Sequence, residues 1–170
     1  MRKVVLCEPG MYSGDSIFDF EFLVDDAMYQ RILEGPTESK RRSDGFNVCN
    51  GYVFGQKFDL DTYQLLGSHG NDVAQTGFVD PTLFNPSKES EDIYDIMLRL
   101  YVEKEPMLRW DNRGPFPTIR EAAPYILFIG DTDGGDVGAN LYAHRDQRGV
   151  IDSLIIDNQL YFDGGDSDSD

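Results

Sequence analysis

Cysteine, histidine and positive charge are all scarce in this chain, and no apolar run is long enough to span a bilayer. The two cysteines, Cys7 and Cys49, sit in the strand-like runs "KVVLC" and "FNVCNGYVF". Two thiols in apolar runs exclude a disulfide scaffold and read as buried free cysteines of a reducing compartment. The start, "MRKVVLCEPG", has a basic pair but too short an apolar stretch for a signal peptide. The expectation is a soluble, cytoplasmic protein of a bacterial or phage-infected cell. Familiar catalytic patterns are missing as well. There is no GxGxxG after a strand, no phosphate loop ending in GK[ST], no CxxC pair and no GxSxG elbow.

Negative charge is what the chain has in excess. It carries 31 Asp and Glu against 15 Lys and Arg, a formal net charge of -16. A field of that size repels nucleic acid and anionic membranes and speeds encounter with basic partners. It does not imply disorder, because 40% of the residues are apolar and 11 Phe and 9 Tyr are available for a core.

The hydrophobic pattern predicts a single α+β domain over residues 1–163, followed by a disordered acidic tail over 164–170. Residues 3–7 read as a strand ended by Pro9-Gly10, and "SIFDFEFLV" alternates Phe18, Phe20 and Phe22 with acids as a half-buried strand. "DDAMYQRILEG" reads as a helix capped by Asp25 or Asp26, with Met28, Ile32 and Leu33 on one face and Gly35-Pro36 as its stop. "TESKRRSDG" has turn composition, and 67–92 reads as a long surface loop. A second helix is expected over 88–104, where Ile93, Ile96, Met97 and Leu100 share a face, and a capped single turn over "PTIREAAP". "YILFIG", "ANLYAH", "VIDSLIID" and "QLYF" then suggest an antiparallel C-terminal meander. The expected fold is therefore an antiparallel or mixed sheet with this strand meander and two or three helices.

That meander with its Gly-rich lead-in is similar to the Smi/Knr type of immunity proteins of bacterial toxin systems. The likeness covers the last quarter or so of the chain. The N-terminal pattern of that family is absent, so no site residue follows from it. What the resemblance implies is an inhibitory, partner-binding role.

Candidate chemistry is limited. "GDTDGGDVGAN" places Asp131, Asp133 and Asp136 where three carboxylates could surround a hard cation. Read as a calcium loop from Asp131, it puts Asp136 where glycine is needed and Tyr142 where the closing acid is needed. The same run resembles the Asp-Thr-Asp metal motif of ADP-ribosylglycohydrolases, whose other acidic ligands have no counterpart here. A Gly-rich connection with aspartate turn bonds is the preferred reading of this run, so no tight metal site and no cofactor are expected. His69 and His144 read as solvated. Lys40, Arg41 and Arg42, the one basic cluster, read as a local offset to surrounding acids.

Three function classes follow. The first is an acidic, non-enzymatic inhibitor that binds a basic, nucleic-acid-binding surface of a partner protein such as a nuclease. It would act as a toxin immunity protein or as a DNA-mimicking anti-defence protein, and would not bind nucleic acid itself. Its expected contact residues are Glu91, Asp92, Asp152 and Asp157, with Trp110 as an anchor. The second is a small metal-binding module or enzyme using Asp131, Asp133 and Asp136. The third is a structural or accessory protein without a specific acidic epitope.

Overall fold

A computed structural model describes residues 1–44, 47–70, 75–85, 123–131 and 138–162. They form nine strands and one α-helix: β1 (Arg2–Cys7), β2 (Phe20–Val24), α1 (Asp26–Glu34), β3 (Glu38–Asp44), β4 (Asn47–Gly55), β5 (Gln64–His69), β6 (Gln75–Val79), β7 (Ile126–Asp131), β8 (Ala139–Arg145) and β9 (Ile151–Asn158). All the pairings are antiparallel. One sheet has the order β2-β1-β6-β7 and the other β3-β4-β9-β8-β5.

The core lies between the sheets. Phe78 and Phe128 of the first sheet meet Tyr52 and Phe54 of the second edge to face, with Phe54–Phe78 at 5.2 Å and Phe54–Phe128 at 5.0 Å, and Phe22 packs edge to face on Phe78 within the first sheet. Such geometry sets the positive edge of one ring on the negative face of the next. Helix α1 touches β2 and β7 of one sheet and β4 and β9 of the other. Its buried Met28, Tyr29 and Ile32 pack into the same core. The helix stands where capping and spacing place it: the Met28 N–H donates to Asp25 Oδ1 at 2.9 Å, and Gly35 ends it at φ +93°.

The second sheet is also covered on its outer face. Val53, Tyr63 and Ile155 form a smaller cluster there with Phe58, Leu60, Tyr142, Tyr161 and Phe162. Strands β4 and β9 are therefore buried nearly throughout, polar residues such as Asn50, Ser153 and Asp157 included, since both their faces are covered.

The expected α+β class is overturned. The described chain is mostly β, with two antiparallel sheets and α1 as the one helix longer than a single turn. The C-terminal meander is also corrected. β8 and β9 are neighbours, but β7 belongs to the other sheet, and "QLYF" turns back over the outer face instead of adding a strand. "TESKRRSDG" forms the edge strand β3 rather than a turn, and β5 and β6 occupy part of the expected long loop. The physical reason is shared. Edge strands read as polar because little of them is buried, and β5 and β6 carry glycines where neighbouring segments lie close. Gly67 sits under the Phe20 ring, which leaves no space for a Cβ. The expected helix over 88–104, the turn over 117–124 and the tail over 164–170 fall outside the described residues, or nearly so. Among the described residues no helix is long and apolar enough to cross a membrane.

Candidate functional site

From Glu8 to Gln30 the chain has six acids (Glu8, Asp15, Asp19, Glu21, Asp25 and Asp26) and no Lys, Arg or His. The first part of this run is the β1–β2 connection, and it builds a cavity of about 280 Å³ between its own turns and the end of β5. Glu8, Ser13, Ser16 and Asp19 supply its polar wall, while Met11, Phe18 and Gly70 supply the rest.

Local bonds hold the connection in place. Pro9–Met11 makes a 3-10 turn, and the Gly10 N–H donates to Gln75 Oε1 at 3.0 Å. Tyr12 is wedged edge-on against Phe84 at 4.8 Å. The Ser13 hydroxyl donates to Asp15 at 2.6 Å, and the Phe18 N–H to the Ser16 hydroxyl at 3.2 Å. The Gly70 N–H donates to the Phe18 carbonyl at 3.1 Å, which ties the connection to the end of β5. Against this polar lining stand three exposed apolar side chains, Met11, Ile17 and Phe18, with Ile17 89% and Phe18 65% exposed.

The electrostatics of the cavity are one-sided. Burial, then the charges of Glu8 and Asp15, pushes the Asp19 carboxyl up to about 6. No basic side chain among the described residues pairs with Asp19. Beside the cavity, burial and then the Asp19 and Glu8 charges push the Cys7 thiol well up, which disfavours its thiolate. Tyr12 is pushed up to about 12, chiefly by burial. His69 adds no countercharge. It is buried, its Nε2 is 2.8 Å from the Thr76 hydroxyl, its Nδ1 is 2.5 Å from the Gly70 carbonyl, and burial lowers its pKa.

The residues expected from sequence are distributed differently. Asp157 is buried, and its carboxylate accepts the N–H groups of Leu160, Tyr161 and Phe162 at 3.1, 2.8 and 3.1 Å, so it shapes the turn after β9. Burial raises its pKa and those N–H bonds pull it back. Asp152 lies at a bulge in the β8–β9 ladder, where His144 faces Ser153 and Arg145 faces Ile151. The extra residue brings Asp152 Oδ1 to 2.6 Å from His144 Nδ1. Phe58 stacks on the His144 ring at 3.8 Å, and Tyr63 hydrogen-bonds the fully buried Ser153 at 2.7 Å. Serine, histidine and aspartate thus meet on one face, but the serine is covered by Tyr63 and the imidazole by Phe58. This is packing of the outer cluster, and neither histidine is solvated.

Glu91, Asp92, Trp110, Asp133 and Asp136 lie outside the described residues, and of Asp131 only the backbone, at the end of β7, is described. Among the described residues no three His, Cys, Asp or Glu side chains are grouped to hold a metal ion. The basic cluster lies on β3, the edge of the second sheet opposite β5. There Lys40 pairs with Glu38 at 3.8 Å and Arg42 reaches the Gln159 carbonyl at 3.4 Å. Sequence reading passed over Glu8, Asp15 and Asp19. The signal that could have found them is the base-free run itself, interleaved with apolar residues at turn positions.

The arrangement defines a two-sheet antiparallel β protein with an acidic, apolar-flanked cavity at one corner. The chain belongs to the same family as "Uncharacterized protein R816" of Acanthamoeba polyphaga mimivirus, with 38% identity over 174 aligned positions covering 100% of this chain and 83% of that protein. No family model matches the chain. No solved structure matches it either.

Proposed function

We propose that this protein is a non-enzymatic, acidic binding protein. It docks on a basic, nucleic-acid-binding surface of a partner protein and blocks it. The observation that carries this reading is the corner at 8–19, where a cavity lined by Glu8 and Asp19 opens beside exposed Met11, Ile17 and Phe18. Carboxylates spaced over a surface can occupy the Lys and Arg sites that hold a phosphate backbone. Exposed apolar side chains beside them supply the desolvated contact that charge alone lacks. A viral relative favours the infected host cell as the setting and an anti-defence target over a toxin. An enzymatic reading has less support, since the Ser–His–Asp grouping among the described residues is covered.

The test is capture from lysate of infected cells at low and at high salt, with identification of what is retained. A basic protein held at low salt and released at high salt supports the reading. Retention of the protein on a nucleic-acid column at ordinary ionic strength, or a partner affinity indifferent to salt, counts against it.

A further inference from the structure

Resting on that docking reading, we infer that the cavity receives a single arginine or lysine side chain of the partner, with Ile17 and Phe18 lying along its aliphatic stem. The volume suits one such group. About 280 Å³ falls just below the roughly 300–1,000 Å³ of sites for drug-sized ligands. It holds a long side chain and a few waters at roughly 30 Å³ each. The chemistry suits a cation with a long stem. Glu8 and Asp19 offer carboxylate oxygens, and Ser13 and Ser16 offer hydroxyl acceptors. Phe18 lines the cavity with an exposed aromatic ring on which a guanidinium or ammonium can settle. A bare metal ion would leave the apolar shoulder unused, and no three ligating side chains are grouped among the described residues. A second copy of this chain is a poorer occupant, because two bodies of charge -16 repel each other.

Docking of a cation is linked to proton release. Asp19 ionises at about 6 in the free protein. A cation beside it favours the ionised form, so affinity rises as pH rises through that range. The groups around Asp19 are Glu8 at the end of β1, Asp15 on the same connection, Cys7 and Tyr12 beneath, and Glu21 on β2. His69, behind Gly70, is held on Thr76 and kept neutral by burial. Lys3 of β1 is taken up by Glu21 at 3.8 Å, and the charges that act on Asp19 are those of Glu8 and Asp15.

The experiment is an amide NMR titration of the full chain with N-acetyl-arginine amide and N-acetyl-lysine amide, with neutral N-acetyl-citrulline amide as the control. Saturable shifts at Ser13, Ser16, Phe18 and Gly70 are expected with the two cations and not with citrulline. Asp19→Asn should weaken binding by about fivefold or more and remove the gain between pH 5 and pH 7.5. Ile17→Ser, at a side chain too exposed to matter for folding, should weaken it without altering the pH dependence. No saturable shift at these residues, equal binding of citrulline, or an Asp19→Asn protein that binds like the parent overturns the inference. Immobilised poly-L-arginine separates the two levels. Salt-sensitive retention with a failed titration leaves the docking reading standing and removes the cavity from it, whereas no retention removes both.

Discussion

Asp19 and Asp80 show two ways of placing a carboxylate in this chain. Asp19 is half-buried among other acids and ionises at about 6, whereas an unfolded aspartate does so near 4. Between those values the folded protein holds a proton that the unfolded chain has lost. Stability therefore falls as pH rises from about 4 to about 6, and the loss is complete above that. Asn cannot ionise, so Asp19→Asn should melt higher than the parent at pH 7.5, by roughly 1–3 °C once solvent screening is allowed for. The two should melt together at pH 4. Thermal scans at both values check this, and an equal gap at each would show that ionisation is not the cause. Asp80 is buried and satisfied: it accepts from the Tyr29 hydroxyl at 2.6 Å and from the Thr82 N–H and hydroxyl at 2.9 and 2.6 Å, and Arg2 lies 3.7 Å away. Arg2 also stacks over the Tyr29 ring at 3.7 Å. Asp80→Ala strands several of these donors and should cost about 3 kcal/mol or more in urea unfolding, while Tyr29→Phe, which removes one hydroxyl, should cost about 1 kcal/mol. If the two losses were equal, the carboxylate would not be the hub of the network.

The outer cluster of the second sheet depends on one glycine. A Cβ on Gly51 would lie 2.5 Å from the Tyr161 ring, whose hydroxyl donates to Glu38 at 2.5 Å and whose face carries Lys57 at 5.0 Å. Gly51→Ala should push Tyr161 off the sheet and cost about 1–3 kcal/mol, with the tyrosine fluorescence changing as the ring is exposed. An unchanged melting temperature would mean that the turn after β9 gives way freely. How legible an element was in the sequence follows the same contrast between self-contained and supported segments. α1, β1 and β2 were readable because each carries its own signal: a cap and a stop for the helix, period-two Phe20, Phe22 and Val24 for β2, although the expected strand began too early and Phe18 lies in the connection before it. β9 was readable as a strand but not as one covered on both faces, because Ile155 and Ser153 owe their burial to Tyr63 and Phe58, far away in the chain. β3, β5 and β6 were lost because their stabilisation comes from neighbours. β3 is polar, and Gly67 in β5 and Gly77 in β6 look like loop residues until the Phe20 ring and the Phe128 backbone that press on them are known. The acidic cavity was half legible. Its charge was visible as a base-free run, but the meeting of Glu8 and Asp19 with Gly70 needs the β1–β2 connection to fold against β5.

At the scale of the whole molecule the net charge of -16 is less informative than its placement. Among the described residues the run from Glu8 to Gln30, base-free in sequence, begins at the β2–β5 corner, where Lys3 of β1 pairs with Glu21 at 3.8 Å and Arg2 with Asp26 at 3.9 Å, and Lys40, Arg41 and Arg42 lie on the opposite edge of the second sheet. A protein that merely stays soluble by charge has no need of that polarity, whereas one that docks through a face does. Two double variants separate these cases, because each changes the net charge by the same amount. Asp15→Lys with Glu21→Lys reverses exposed charge at the corner, and Asp59→Lys with Asp61→Lys reverses exposed charge on the segment before β5. Steering by net charge alone slows association equally in both. Docking through the corner slows it more in the first, because a like charge at the contact opposes both approach and the final complex. Association rates on immobilised poly-L-arginine, measured as salt rises from about 0.05 to about 1 M, are the readout. The corner variant should associate more slowly at low salt and show a shallower salt dependence, and the difference should fade once the Debye length drops to a few ångströms, as it does near 1 M. Indistinguishable curves for the two variants would leave the acidity of this chain a bulk property and remove the corner as its docking face.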